Sequence, residues 1–310
     1  MSGCFGHGSA IGHVGELLQG ALRLRGRVEP FLVTLPAPSL VCHARVRPAR
    51  LWNVTPAGSS RALRAAMIAA GHCRIRGPLA LDLHSAIPRG RGFGSSTADC
   101  VAAIRAVADY AGIEICSKHI GAIACEAESA SDSTMFGLEP VVFLPRRGEC
   151  LHRFEGAWPE IACEFLDLGG PPVDTLACPL PRYSHAELDE FEKLLADLSQ
   201  AFRRRDPSSL GRIATRSGAI HQRHRPHSRW AVLRASASDA HGVAISHSGT
   251  AAAILLAGQE RSRASSRSSA VAEAVTAHRR TALSRRAPLA PGVAISHSGT
   301  AAILPERSRA

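Results

Sequence analysis

The strongest constraint on the fold is a change of pattern between residues 79 and 111. Leu79-Ala-Leu-Asp-Leu-His-Ser85 alternates, with Leu79, Leu81 and Leu83 on one face, and reads as a half-buried strand. Residues 98–111 carry Val101, Ala102, Ile104, Val107 and Ala108 as an apolar stripe at helical spacing. Between them stands Pro88-Arg-Gly-Arg-Gly-Phe-Gly-Ser-Ser-Thr97. Glycines at a strand-to-helix junction let the backbone approach a ligand closely, and the helix N-terminus adds about half a positive charge, so the order predicts an anion site. Ser95 or Ser96 can also offer a hydroxyl to Mg2+, a hard cation that takes oxygen ligands. Composition alone is equally compatible with an ordinary glycine-rich turn capped by serine.

Two familiar phosphate loops do not fit. A Walker loop needs GxxxxGK followed by Ser or Thr, and this segment has no lysine. A dinucleotide fold expects a near-continuous apolar strand before the glycines, whereas Asp82 and His84 interrupt this one.

Elsewhere, Pro30–Leu35 and Leu40–Val46 read as extended segments separated by Pro36 and Pro38, which suggests a meander or hairpin. Helices are expected over 60–70, from Ser117 to Ala127, from the capping box of Ser184 and Glu187, and from Asp206-Pro207. A strand is expected near Val141–Leu144, and a domain boundary between 150 and 175, where Gly169, Gly170, Pro171 and Pro172 interrupt strand-like stretches. Beyond Gly258 the run Arg261–Ser269 is low-complexity and expected to be solvated. Gly242–Ala252 recurs unchanged as Gly292–Ala302, a duplication too short for a solenoid.

Composition excludes several classes. The chain of 310 residues, 45% hydrophobic, is long enough for two domains with a substantial core. It has no apolar run of about 18 residues, and its N-terminal residues lack a signal-peptide pattern, so a soluble cytoplasmic protein is expected. Nine cysteines, never spaced as CxxC, suit reduced thiols better than disulfides or zinc. The formal charge of +11 is almost all arginine and favours anionic ligands without choosing among them.

The glycine loop Pro88–Ala98 resembles the central PxxxGLGSSAA signature of the GHMP kinases, with Phe93 in place of leucine and Thr97 in place of alanine. Gly12-His-Val-Gly-Glu-Leu-Leu-Gln-Gly20 resembles the N-terminal motif in the GELxQG form of the L-threonine kinases of cobalamin synthesis. Ile245-Ser-His-Ser-Gly-Thr250 resembles the C-terminal motif of that subgroup, and Ser131–Thr134 and Ile220–Arg223 fall in the expected order. The resemblance implies a two-domain α+β fold: a ribosomal-protein-like N-terminal domain over 1–165, a ferredoxin-like C-terminal domain over 166–260, and an atypical tail over 261–310. It implies ATP and Mg2+ as cofactors and phosphoryl transfer to the hydroxyl of L-threonine.

The resemblance also implies roles. Pro88, Gly90, Gly92, Phe93, Gly94, Ser95, Ser96 and Thr97 would hold the nucleotide, and Asp132 would act as base or hydroxyl-orienting residue. Glu16, Gln19, Ser248, Gly249 and Thr250 would meet the substrate; Ser96 with Glu126 or Glu128 would hold the magnesium. His247 reads as structural, and His221–His227 as a solvated basic loop that leaves Gln222 and Arg223 as candidate contacts. Only one copy of the repeated segment can occupy the site, and 242–252 has the suitable distance from Gln222. The partner is then a small molecule, with no membrane and no nucleic acid; a homodimer is allowed. The rival readings are a kinase for another small alcohol such as homoserine, and a degenerate paralogue whose basic tail binds a polyanion.

Overall fold

The computed structural model describes residues 5–169, 181–257 and 300–303. The Arg261–Ser269 run, Gly170–Pro172 and most of the second copy of the repeat lie outside the described residues.

The frame is a long antiparallel hairpin. β1 (Gly6–Leu24) and β2 (Arg27–Pro48) pair from Gly6↔Val46 to Leu24↔Arg27. Arg25 and Gly26 turn the chain with φ of 50° and 77°, the left-handed pair that a two-residue hairpin of matching twist requires. The segments on either side of Pro36 and Pro38 therefore belong to one strand, not to two arms of a hairpin. Both prolines fall where the pairing slips, opposite irregularities between Ile11 and Gly12 and between His13 and Glu16. A residue without an N–H is tolerated where the ladder is already interrupted.

β3 (Asn53–Thr55) and β4 (Leu79–Ser85) extend this sheet beyond β2, with β4 antiparallel to β2 and β3 parallel to β4. β5 (Val141–Leu144) joins β2 through Leu32↔Phe143 and pairs with β6 (Glu149–Arg153). On the other side, β8 (Gly242–Ile245) meets β1 at Glu16↔Ile245, followed by β9 (Ala251–Ala257), β7 (Ile161–Asp167) and β10 (Thr300–Ile303). β7 thus has β9 on one edge and β10 on the other, and the two begin within or beside the Gly-Thr-Ala-Ala end of the two copies of the repeat.

Helices cover the hairpin. α1 (Ser60–His72), α2 (Ser95–Tyr110) and α3 (Ser117–Glu128) pack as a group, with α2 closest to β1. A Cβ on Gly6 or Gly8 would come within 2.1 or 2.2 Å of the Ala106 and Ala102 carbonyl oxygens, so those glycines set the depth of α2. α4 (His185–Arg204) begins with the expected capping box: Ser184 Oγ accepts from Glu187 N–H, and the Glu187 carboxylate accepts from Ser184 N–H. α5 (Pro207–His224) carries proline in its first turn, and α6 (Trp230–Ser236) is short. The main core joins residues from both ends of the chain, including Leu17, Phe31, Ile104, Phe191 and Phe202. β9 alternates cleanly, Ala251, Ala253 and Leu255 facing that core and Ala252, Ile254 and Leu256 facing a second cluster with Leu233 of α6. No helix among the described residues is long and apolar enough to cross a membrane.

Candidate active site

Gly90, Gly92 and Gly94 all adopt left-handed φ, at 66°, 77° and 70°. Residues with a Cβ are strained there, which explains the spacing of the glycines. Space adds a second reason. A Cβ on Gly92 would approach Ser248 Oγ to 2.5 Å and the Ser246 and Thr250 hydroxyls to 2.7 Å, and one on Gly94 would strike the His13 ring at 2.3 Å. The loop is therefore pressed between the first motif on β1 and the turn 246–250 between β8 and β9.

Gly94 is the N-cap of α2, and no side-chain hydrogen bond caps that helix. Ala98 N–H is bonded to Gly94 O, so the earlier amides at Ser95, Ser96 and Thr97 precede the helical ladder and are free for a ligand's oxygens. All three residues line a cavity of about 290 Å³, together with Gly90, Gly92 and Gly94.

Asp132 lies on the same wall. Its backbone N–H donates to Thr97 Oγ1 at 3.2 Å, and its Oδ2 lies 3.0 Å from His13 Nε2. Burial alone would raise the Asp132 carboxyl, but the His13 charge and hydrogen bond outweigh it and hold the carboxyl below its ordinary value. In turn, burial disfavours the charged His13 ring, while Asp132 and then Glu16 push it up. Glu16 Oε1 stands 3.9 Å from His13 Nδ1 and 3.4 Å from His247 Nδ1. His247 lines the cavity and lies 4.0 Å from Asp132 Oδ1, so it belongs to this electrostatic cluster.

Opposite stands Glu128, 4% exposed, accepting from Ser96 Oγ and Thr97 Oγ1, each at 2.7 Å. Burial pushes its carboxyl up to about 7, against the hydrogen bonds from Ser96 and Thr97. Glu126, two positions earlier on α3, is exposed and off the cavity wall. Two residues on a helix differ by about 200° in direction, so only one of the pair can face Ser96.

The other sequence-level candidates divide. Gln19 lines the cavity, but its Nε2 donates to Ile245 O at 2.9 Å and so also ties the first motif to the third. Ser248 lines it, with its hydroxyl 2.9 Å from Thr250 Oγ1. Pro88, Phe93, Gly249 and Thr250 are not on the wall. Phe93 is buried and acts through its carbonyl, which accepts His13 N–H at 3.1 Å; Gly249, at φ 77°, turns the 246–250 segment. His221–His224 is not a solvated loop, because α5 continues through it and buries His221. Gln222 Oε1 accepts from His227 N–H, and Arg223 is exposed beside Glu187, so neither reaches the cavity; Arg225 does. His13, Arg61 and Tyr183 are cavity residues that sequence reasoning passed over, and His221 and Arg225 are cavity residues that it read as part of a solvated basic loop. For His13 a signal existed, since an imidazole between Gly12 and Gly15 in an apolar strand has no local role.

Comparison with known proteins bears on part of the chain. Residues 59–139 match the GHMP kinases N terminal domain. This match spans α1, the glycine loop, α2, α3 and Asp132, and leaves His13, Glu16 and the 246–250 turn outside it. No curated protein sequence matches the chain significantly. Among solved structures, mevalonate kinase from methicillin-resistant Staphylococcus aureus superposes with a TM-score of 0.60 at 17% identity, over 88% of this chain and 97% of that one. Homoserine kinase from Cytophaga hutchinsonii gives 0.64 at 15% identity, over 87% and 91%. Mevalonate diphosphate decarboxylase from Staphylococcus aureus gives 0.62 at 12%, over 89% and 93%. The chain has the mixed α and β fold of GHMP kinase structures, a fold that also carries a decarboxylase; the chemistry must therefore be argued from the site.

Proposed function

We propose that this chain is an ATP-dependent small-molecule kinase that transfers the γ-phosphoryl group of ATP to the hydroxyl of L-threonine. The observation that carries the reading is Asp132 hydrogen-bonded to Thr97 in the first turn of α2, beside the amides that would grip the phosphates. In-line transfer needs positioning and charge neutralisation more than covalent chemistry. The acceptor oxygen forms its bond to the γ-phosphorus as the β,γ-bridging bond breaks, and the acceptor's proton passes to an Asp132 oxygen. His13 keeps Asp132 ionised and fixes its rotamer.

The residues present fit a magnesium ion. Ser96 and Glu128 supply hard oxygen donors on the cavity wall, and burial raises the Glu128 carboxyl in the absence of a cation. Bound there, the ion would neutralise charge on the phosphates. A similar fold, MDDEF, was solved in complex with MVAPP, AMPPCP and magnesium at a TM-score of 0.63 and 14% identity, which supports ATP and magnesium as cofactors here. Residues 1–165 would form the nucleotide-binding part and 166–260 the part that closes over the acceptor.

Threonine rests on the likeness of Gly15–Gly20 and Ile245–Thr250 to the threonine kinases. The similarity to a homoserine kinase structure favours L-homoserine as the second reading. ADP release measured with L-threonine, L-serine and L-homoserine tests both. The expected result is the highest kcat/KM with L-threonine; a preference for L-homoserine selects the second reading, and bound ATP with no turnover on any acceptor ends the kinase assignment.

A further inference from the structure

The cavity has a second end that phosphoryl transfer does not use. β1 runs along the cavity, from His13 at the glycine loop to Gln19 and Gly20. There the wall changes character. Gly20 lies on the Phe191 ring, where a Cβ would come within 2.6 Å, and the Tyr183 ring stands edge-on to Phe191 at 5.0 Å. The polar groups on this side come from the end of α5, His221 and Arg225.

His221 is 5% exposed, and its Nε2 has no hydrogen-bond partner among the described residues although the residue lines the cavity. A buried polar atom without a partner is costly unless something fills the role. Burial, followed by the nearby charges of Arg225, His247 and His224, pushes the imidazole down to about 3, so it is neutral at any working pH. A neutral ring nitrogen can accept a hydrogen bond from an ammonium group. One turn away, Arg225 offers the planar fork of donors that suits a carboxylate.

Resting on the kinase reading, we infer that His221 and Arg225 recognise the backbone of a zwitterionic α-amino acid: Arg225 takes its carboxylate, and His221 Nε2 accepts from its ammonium. The side-chain hydroxyl of that amino acid then faces Asp132, since His221 is close enough to His247 to feel its charge and His247 lies 4.0 Å from Asp132 Oδ1. The acceptor class is a hydroxyl-bearing amino acid, and a simple alcohol or an amino alcohol is excluded.

The test is ADP release with the full-length chain, comparing L-threonine with L-threoninamide, which lacks the carboxylate charge, and L-homoserine with its amide. In the unaltered protein the acid should exceed its amide by about 30-fold or more in kcat/KM, as expected for a lost charge-assisted pair. Arg225→Gln should lower the acid far more than the amide, bringing the two close together, and leave the KM for ATP unchanged; Arg225→Lys should recover part of the preference. His221→Asn should raise the amino-acid KM more than it lowers kcat. Retention of the acid preference in Arg225→Gln, or an equal loss on acid and amide with normal ATP affinity, overturns the assignment of Arg225 while the kinase reading stands. Nucleotide binding without turnover on any acceptor removes both.

Discussion

His13 Nε2 lies 3.0 Å from Asp132 Oδ2, joining the first motif to the loop after α3 across most of the N-terminal half of the chain. Each group shifts the other: the histidine is held up and the aspartate down. The pair is thus an ionised couple in a buried place, and its geometry governs how Asp132 meets an acceptor.

Asp132→Asn keeps the side-chain volume and the Thr97 contact to the backbone but removes the proton acceptor. Turnover should fall about 10²- to 10⁴-fold, the range for a lost general base, with nucleotide affinity unchanged. Single-turnover kinetics and nucleotide titration measure the two; unaltered turnover would remove Asp132 from the mechanism.

His13→Asn should act through pH. The raised histidine contributes stability that is complete below its ordinary value of 6.5 and fades as pH rises through the folded value. The lowered aspartate contributes stability that is complete above its ordinary 3.8 and fades as pH falls through the folded value. The Tm deficit of the variant should therefore be widest between those two ordinary values and narrow on the alkaline side. Its acid limb of turnover should move to higher pH, because burial of Asp132 is no longer opposed. A deficit independent of pH would show that the ring acts only by packing.

Glu128→Gln should separate stability from function. A carboxyl raised from 4.5 to about 7 destabilises the folded chain once it is ionised, so the cost is present above about pH 7 and absent below 4.5. The ligand-free variant should be more stable than the parent at pH 8 by on the order of 2–3 kcal/mol, with no gain at pH 4, while magnesium-dependent nucleotide binding weakens. Thermal melts at the two pH values, with and without Mg·ATP, measure this.

Deleting residues 291–310 should leave nucleotide binding intact, because the loop against Gly92 is built from Ser246, Ser248 and Thr250. It also removes β10 from the edge of β7. An uncovered strand edge invites pairing with another chain, so the truncated protein should self-associate in light scattering. Loss of nucleotide affinity with the fold retained would assign the site to the second copy.

Much of this architecture is legible where signals are local. The capping box at Ser184 and Glu187, the proline that opens α5 and the stripe on α2 all declare themselves within a few residues. β1 and β2 are harder to see, since their pairing depends on a turn at Arg25-Gly26 with no asparagine or aspartate to mark it, and the prolines mimic a break. In the site, the glycine loop stands out in the sequence and Asp132 is singled out only by the family resemblance, while Glu126 and Glu128 differ only in which way a helix turns them. His13, His221 and Arg225 gain meaning only from partners far away in the chain.

The hydroxyls packed under Gly92 come from a turn near the end of the C-terminal half. During synthesis, then, the glycine loop emerges long before its backing does, and a ribosome-bound chain stopped short of residue 250 should hold nucleotide more weakly than the full chain. Ligand capture becomes a late checkpoint on completion of the fold.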